Sequence, residues 1–244
     1  MIWIKPLVMI IFDVDGVILD SPHEQAWRAA LASFADPTRF TSAFYQRVVA
    51  GKPRGDGALA ALTELGVLNA AARSVEYARQ KQALMEGLIA AGSFTVYPDA
   101  LRAVQRFSAA GYTLAVASSS KNANAMLERI AVGPGRSLRD MFAINSCGRD
   151  LPRGKPDPAI FLLAAAEADA APATCLVVED APAGIIAAKA GGMAALGIAR
   201  HDDAAPLRLA GADLVLADLD AMADDAVPTL IDAARERTNH ADRV

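Results

Sequence analysis

Short runs of apolar residues, each followed by polar side chains, recur along the chain. The first covers residues 7–12 and consists of large and β-branched side chains, which is typical of a strand buried on both faces. Similar runs follow at residues 114–117, 142–144, 175–178, 194–198 and 214–216. Helical periods separate the later runs, at residues 100–110, 123–130, 158–168 and 183–190. This alternation predicts an α/β fold: a doubly wound, Rossmann-like parallel sheet with helices on both faces.

Residues 21–92 interrupt this alternation. They are rich in alanine and leucine, have a helical period, and contain turn signals but no convincing strand. We therefore predict a helical insertion over residues 21–92, with residues 1–20 and 93–244 forming one α/β core. Trp27, at helical spacing from Leu31, is predicted to lie in the core of the insertion. The polar residues 235–244 are predicted to end a helix or to fray.

The composition is that of a folded protein. Of 244 residues, 53% are hydrophobic and 21% are charged, which excludes a disordered chain. The net charge of −4 and the lack of a long basic run argue against nucleic acid as a partner. The first apolar run is interrupted by Lys5 and Pro6 and is too short to span a membrane. We expect a cytoplasmic monomer without a signal peptide.

The two cysteines, Cys147 and Cys175, are too few for a disulfide scaffold or a four-ligand zinc site. Cys175 begins an apolar run and is predicted to be buried as a small hydrophobic side chain. Cys147 has no evident histidine base beside it. Neither cysteine is therefore expected to act as a nucleophile.

Polar side chains follow the strands of the predicted core. The sequences at four of these points are Asp13-Val14-Asp15-Gly16, Ser118-Ser119-Ser120, Gly154-Lys155-Pro156 and Glu179-Asp180. Because ligands bind at the carboxyl ends of the strands in such sheets, we expect all four segments to face one site. That site would gather four carboxylates, a hydroxyl group and an ammonium group.

Four carboxylates at one edge would repel one another and raise one another's pKa. A hard divalent cation with oxygen ligands resolves this conflict, and Mg²⁺ is the usual choice in phosphate chemistry. A carboxylate is then available as a nucleophile toward phosphorus, while Lys155 neutralises negative charge. The backbone N–H groups of Ser119 and Ser120 are expected to open a helix whose N-terminus attracts an anion. Together these features predict phosphoryl transfer.

At these residues the chain resembles the haloacid-dehalogenase superfamily of phosphotransferases, and within it the β-phosphoglucomutase-like group. The segments that carry the resemblance are residues 12–17 (Phe-Asp-Val-Asp-Gly-Val), Ser118, Lys155-Pro156, and Glu179-Asp180-Ala181 with Gly184. The resemblance implies that Asp13 is the nucleophile and forms an aspartyl-phosphate. It implies that Asp15 is the general acid and base, with Ser118 and Lys155 completing the catalytic set.

The same resemblance implies that Mg²⁺ is bound by Asp13, Asp15, Glu179 and Asp180, with the backbone carbonyl region of residues 14–15 contributing. The dehalogenases of the superfamily lack a carboxylate at the position of Asp15. Its presence in this chain therefore favours phosphate chemistry over halide chemistry.

Further matches to the mutase-like group imply a set of substrate-binding residues. They are His23, Gly51, Arg54, Lys81, Ser119, Lys121 and Asn122. Ordinary structural roles are the alternative: a solvated His23 in the first turn of a helix, and Arg54 and Lys81 on a helical surface. The pattern around His23 also requires a gap of two residues after Ser21, which leaves the length of the first hinge open.

The resemblance implies a helical cap over the site and a small phosphorylated sugar as the substrate. The aspartyl-phosphate would be passed to a second sugar hydroxyl in a mutase, or to water in a phosphatase. The matches at Arg54, Lys81 and Lys121 favour the mutase. Two other hypotheses are a phospho-acceptor signalling module, which has no need of so large an insertion, and an inactive phosphate-binding scaffold, against which the intact charged residues argue.

Overall fold

The computed structural model of the chain describes residues 8–200, 204–223 and 225–241, with side chains as far as residue 236. Residue 7 of the first predicted strand and residues 242–244 of the polar tail lie outside this range. The strands are β1 (Met9–Phe12), β2 (Leu19–Asp20), β3 (Thr95–Val96), β4 (Thr113–Val116), β5 (Ala131–Gly133), β6 (Arg136–Ser137), β7 (Ile144–Asn145), β8 (Cys175–Glu179), β9 (Ala194–Ile198) and β10 (Leu214–Leu216). The α-helices are α1 (His23–Leu31), α2 (Ser42–Val48), α3 (Arg54–Glu64), α4 (Ala70–Ala90), α5 (Pro98–Ala109), α6 (Ala123–Leu127), α7 (Ala159–Glu167), α8 (Pro182–Ala190), α9 (Ala204–Leu209) and α10 (Ala226–Ala241).

Six parallel strands form the main sheet, in the order β10-β9-β8-β1-β4-β7. Strand β1 lies at its centre, where Phe12 pairs with Val116 of β4 and with Val178 of β8. This register brings the carboxyl ends of the three central strands to one edge of the sheet. The predicted doubly wound α/β fold is confirmed.

The two faces of the sheet belong to two separate hydrophobic clusters. In β1, Ile10 and Phe12 pack into one cluster, whereas Met9 and Ile11 pack into the other. Since successive side chains of a strand point to opposite faces, a strand covered on both sides must be apolar throughout. This explains the unbroken run on which the first prediction rested.

The boundaries of some predicted elements shift. Strand β7 begins at Ile144, two residues later than predicted, because residues 138–141 form a 3₁₀ turn. Helix α6 ends at Leu127 and has only five residues. Two short antiparallel ribbons were not predicted, β2 with β3 and β5 with β6. The first of these joins the chain segments that enter and leave the region of residues 21–92.

Residues 21–92 contain helices α1–α4 and, among the described residues, no strand. These helices enclose a third hydrophobic cluster. Trp27 lies in it, with its ring centroid 5.0 Å from that of Tyr77, and the Tyr77 hydroxyl donates a hydrogen bond of 2.9 Å to the Trp27 carbonyl. The predicted burial of Trp27 is therefore confirmed, as is that of Cys175 in the sheet. No described helix is both long enough and apolar enough to cross a membrane.

Candidate active site

The carboxyl ends of β1, β4 and β8 and the helices of the insertion enclose a cavity of about 290 Å³. This is close to the lower limit of about 300 Å³ that is usual for small-molecule sites. The strand ends contribute Asp13, Asp15, Ser118 and Asp180 to its lining. Because the strands are parallel and in register, side chains that are far apart in sequence meet at this edge.

Lys155 lies behind the cavity and joins two carboxylates. Its Nζ atom lies 2.5 Å from Oδ1 of Asp13 and donates a second hydrogen bond to Oε1 of Glu179. The Lys155 side chain is fully buried. Burial alone would lower the pKa of Lys155, but the charges of Asp13 and Glu179 outweigh it and raise that pKa above its usual value. Lys155 is therefore an ammonium group that holds Asp13 in one orientation.

Both oxygens of Glu179 are occupied by hydrogen bonds. Oε1 accepts from Lys155, and Oε2 accepts from the backbone N–H groups of Asp180 and Ala181, at 3.0 and 3.1 Å. A Cβ atom at Gly184 would overlap the Glu179 carboxyl group. Glu179 thus fits against the first turn of α8, and in this arrangement it orients Lys155 and does not face the cavity.

Of the three carboxylates that line the cavity, those of Asp13 and Asp180 are buried and that of Asp15 is partly buried. Burial raises the pKa of Asp13, Asp15 and Asp180 above the usual aspartate value, and neighbouring carboxylates raise those of Asp13 and Asp180 further. Oδ1 of Asp15 is buried and accepts no hydrogen bond within the described residues. Such a set has an unsatisfied acceptor and excess negative charge, which is the condition that a hard divalent cation relieves.

Asp180 approaches the backbone of the loop after β1. Gly16 has a φ of 87°, and a Cβ atom there would collide with the Asp180 carboxyl group. Glycine is therefore required at this position for both its backbone conformation and its size. Within the described residues, no three or more acidic, histidine or cysteine side chains converge as a metal site.

Residues Ser118–Asn122 form a tight turn at the end of β4. The Ser118 hydroxyl accepts from the Ser120 backbone N–H at 3.1 Å and lies 3.4 Å from Oδ2 of Asp15. The Ser120 hydroxyl accepts from the backbone N–H of Asn122 at 3.2 Å. The expectation that the N–H groups of Ser119 and Ser120 open a helix is wrong. Helix α6 begins only at Ala123, because serine hydroxyls satisfy the preceding turn.

His23, the first residue of α1, links the insertion to the core. Its Nδ1 atom lies 2.8 Å from Nζ of Lys81, and its Nε2 atom lies 3.2 Å from the Ser120 hydroxyl and 3.4 Å from Oδ1 of Asp15. Burial lowers the pKa of His23 well below its usual value, and the charges of Lys81 and Arg54 lower it further. The alternative of a solvated surface histidine is therefore wrong.

Lys81 is also buried, with only 2% of its surface exposed. Its Nζ atom lies 5.2 Å from the centre of the Trp27 ring. Burial lowers the pKa of Lys81 to about 7, since the attraction of Asp15 does not fully compensate for the loss of water. Lys81 lines the cavity, so the alternative of a lysine on a helical surface is excluded by its position.

The loop before α3 closes the cavity on the side of the insertion. Gly51 has a φ of 75°, and its carbonyl accepts a hydrogen bond of 3.1 Å from the Ser119 hydroxyl. Arg54, at the start of α3, also lines the cavity. Lys121 lines the outer rim, where it is half exposed and pairs with Asp150 at 2.5 Å. The structure thus brings Gly51, Arg54, Ser119 and Lys121 to the same cavity, as predicted.

Three side chains near the site were not predicted. Gln82 follows Lys81 on α4 and lines the cavity beside Asn122, and Tyr45 of α2 lines it as well. Burial, and then the charges of Asp15 and Asp180, raise the pKa of Tyr45 well above its usual value. No spacing in the sequence distinguishes these two residues from other helical positions.

Arg200 is the third residue that was missed, although its place just after a predicted strand was a usable signal. It donates hydrogen bonds of 2.8 Å to Oδ2 of Asp99 and to the carbonyl of Val17. Its guanidinium group stacks 4.0 Å from the centre of the Tyr97 ring. Arg200 therefore fixes the loop that follows Asp15.

Cys147 lies near the rim but is buried. Burial raises the pKa of its thiol to about 12, so a thiolate is strongly disfavoured. This agrees with the prediction that Cys147 is not a nucleophile.

An aspartate held by a buried lysine, at the end of the central strand of such a sheet, defines a class of enzyme. Residues 8–192 match the haloacid dehalogenase-like hydrolase family, and the chain belongs to that family. It is 32% identical over 217 residues to the β-phosphoglucomutase of Bacillus subtilis. The matched region covers 85% of this chain and 88% of that protein. The resemblance stated from the sequence is confirmed, and the protein is an enzyme of the superfamily.

Other relatives and solved structures agree with this assignment. The chain is 27% identical to a phosphorylated carbohydrates phosphatase of Thermotoga maritima, over 75% of this chain and 81% of that protein. The crystal structure of a β-phosphoglucomutase from Pyrococcus sp. strain ST 04 superposes with a TM-score of 0.73 at 29% identity. That match covers 93% of this chain and 100% of the other. The family therefore includes both phosphomutases and phosphatases among the relatives of this chain.

The packing of Gly184 against Glu179 gives a first prediction. In Gly184→Ala the new methyl group must displace the carboxyl group that orients Lys155. We expect a loss of about 1–3 kcal/mol in the free energy of unfolding, as for other overpacked sites, and a clear fall in turnover. Urea unfolding measures the first effect, and a steady-state turnover assay that follows both the phosphorylated product and inorganic phosphate measures the second.

Gly87→Ala is the matched control, since Gly87 is also helical and has open space around it. Alanine at that position is expected to stabilise the protein by up to about 1 kcal/mol without changing turnover. Equal stability and activity in the two variants would contradict the role given to Gly184.

Proposed function

We propose that this enzyme catalyses Mg²⁺-dependent phosphoryl transfer on a small sugar phosphate through an aspartyl-phosphate on Asp13, in the manner of a β-phosphoglucomutase. The observation that carries the proposal is the placement of Asp13. Its carboxylate is held by Lys155 and lies at the wall of a cavity that also contains Asp15. A fixed nucleophile and a second carboxylate in one enclosed site are what a double phosphoryl transfer requires.

In the first step a carboxylate oxygen of Asp13 attacks phosphorus, and the bond between phosphorus and the sugar oxygen breaks. Asp15 gives its proton to the departing sugar oxygen, so that a neutral hydroxyl leaves. Burial raises the pKa of Asp15, which favours the protonated form needed for this role. In the second step Asp15 takes a proton from the incoming hydroxyl, whose oxygen attacks the phosphoryl group and frees Asp13.

Asp13 and Asp180 are the carboxylates that we propose as ligands of Mg²⁺, together with the backbone region of residues 14–15. Bound Mg²⁺ would neutralise charge on the phosphoryl oxygens and relieve the repulsion among the carboxylates. Because both oxygens of Glu179 already accept hydrogen bonds, we assign it to the support of Lys155 in preference to direct ligation. Ser118 would orient Asp15, from which its hydroxyl lies 3.4 Å.

We further propose that residues 21–92 act as a cap over the core. Helices α1, α3 and α4 carry His23, Arg54 and Lys81 to the lining of the cavity. A cap of this kind opens to admit the substrate and closes to exclude water during the transfer. The cavity of about 290 Å³ suits one small phosphorylated sugar and not a polymer.

The mutase is favoured over the phosphatase by the cationic groups of the insertion. In a mutase the sugar bisphosphate must bind with either phosphate at Asp13, so the far end of the cavity also needs to accept a phosphate. Arg54 of the insertion lines the cavity and makes no ion pair within the described residues, so we propose it as the cation for that phosphate. Lys121 of the core lies at the rim, where it pairs with Asp150. Exclusion of water by a closed cap would then protect the aspartyl-phosphate from hydrolysis.

The decisive assay offers β-glucose 1-phosphate together with a catalytic amount of the sugar bisphosphate. We expect glucose 6-phosphate to accumulate, measured by a coupled dehydrogenase, with little inorganic phosphate. Stoichiometric release of inorganic phosphate would instead identify a phosphatase that uses the same first step. If the enzyme turned over neither this sugar phosphate nor other small sugar phosphates, the proposed substrate class would be contradicted.

Removal of divalent metal tests whether the reaction requires Mg²⁺. After dialysis against EDTA, we expect turnover to fall to background because the carboxylates then repel the phosphate. Added Mg²⁺ should restore it, and the unfolding temperature should rise on Mg²⁺ addition because the cation binds only the folded site. Full activity after thorough metal removal would overturn the proposed cofactor.

A further inference from the structure

Gln82 forms a contact between the insertion and the core that the roles assigned so far do not use. Its Nε2 atom donates a hydrogen bond of 2.9 Å to Oδ1 of Asn122, and Nδ2 of Asn122 donates one of 3.3 Å to Oε1 of Gln82. Gln82 belongs to helix α4 of the insertion, and Asn122 follows strand β4 of the core. This reciprocal amide pair can exist only while the insertion lies against the core.

The same side chain holds Arg54. Oε1 of Gln82 also accepts a hydrogen bond from an Nη1–H group of Arg54, at the start of α3. Gln82 is a neutral partner, so this bond orients the guanidinium group without neutralising it. Within the described residues Arg54 forms no ion pair, and it lines the cavity together with Gln82 and Asn122. Its charge therefore remains available to an anion in the cavity.

We propose that Gln82 is a positioning residue that couples closure of the insertion to the placement of Arg54. When the insertion meets the core, Asn122 fixes the Gln82 amide, and the amide fixes the Arg54 guanidinium group toward the far end of the cavity. When the insertion lifts away, the amide pair is lost and Arg54 gains rotational freedom. A substrate group far from Asp13 would thus be gripped only in the closed enzyme. This inference rests on the proposed function, since it deepens the binding of the substrate's second end.

The geometry separates this role from simple packing. Gln82 is partly exposed, and its remaining hydrogen bond, to Glu86 on the next turn, lies on the outer face of α4. A purely structural role on that face would stabilise helix α4 and would affect the turnover of every substrate alike. A positioning role instead predicts that only substrates with a charged second end depend on Gln82.

The test compares two phosphoryl donors in the wild-type protein and in Gln82→Met, which keeps the size of the side chain but has no amide. One donor is a sugar bisphosphate, which reaches the far end of the cavity. The other is acetyl phosphate, which has no second phosphate. For the bisphosphate we expect kcat/KM to fall on the order of 10- to 100-fold, because a displaced binding group costs about this much. For acetyl phosphate we expect no change.

The control on the same helix is Glu86→Gln, which alters the other partner of the Gln82 amide outside the cavity. It should change neither rate. A second measurement places Gln82→Met in an Arg54→Ala background, where it should cause no additional loss, since the group that it positions is gone. If Gln82→Met does not fold, Gln82→Asn, one methylene shorter, is expected to show the same selective loss.

Equal losses for both donors, no loss for either, or an additive loss in the Arg54→Ala background would overturn the inference. These results differ from a failure of the proposed function, in which the wild-type protein would not accept phosphate from either donor. The ratio of the losses for the two donors therefore tests the role of Gln82 separately from the proposed function.

Discussion

The buried contact of Lys155 with two carboxylates is the constraint on which the site depends. An ammonium group without water is tolerated only beside opposite charge, and Asp13 and Glu179 provide it. Glu179 in turn needs the N–H groups at the start of α8 and the missing Cβ of Gly184. Asp13 is therefore held by a chain of contacts that runs from β1 through Lys155 to α8. Loss of one partner of such a buried pair typically costs about 3–5 kcal/mol.

A second group of ionisable side chains, carried by the insertion, lies beside the carboxylates of the core. His23 lies between Lys81 and the carboxyl group of Asp15, and burial lowers the pKa of both basic groups. His23 and Lys81 meet because α1 and α4 pack together through Trp27 and Tyr77. The hydrophobic cluster of the insertion thus positions polar side chains against the core. The hydrogen bond between Gln82 and Asn122 is a further contact between the insertion and the core.

The sequence allowed the architecture and the strand-end residues to be predicted, because both follow from local patterns. A strand buried on both faces is apolar throughout, and parallel strands in register bring Asp13, Ser118 and Asp180 together wherever they lie in the chain. Gln82 and Tyr45 could not be predicted, since their place in the cavity depends on how α2 and α4 meet the core. The helical period predicted the start of α6 at Ala123. The N–H groups of Ser119 and Ser120 do not open that helix, because serine hydroxyls accept hydrogen bonds from the backbone of the preceding turn.

The central claim is that Asp13 carries the phosphoryl group, and the mass of the acid-quenched protein tests it most directly. After brief exposure to a phosphoryl donor, one phosphoryl group should be found on the intact chain and mapped by peptide analysis to Asp13. Asp13→Asn should carry none while remaining folded, because Lys155 keeps its contact with Glu179. A phosphoryl group on another residue, or turnover by Asp13→Asn at the normal rate, would contradict the account.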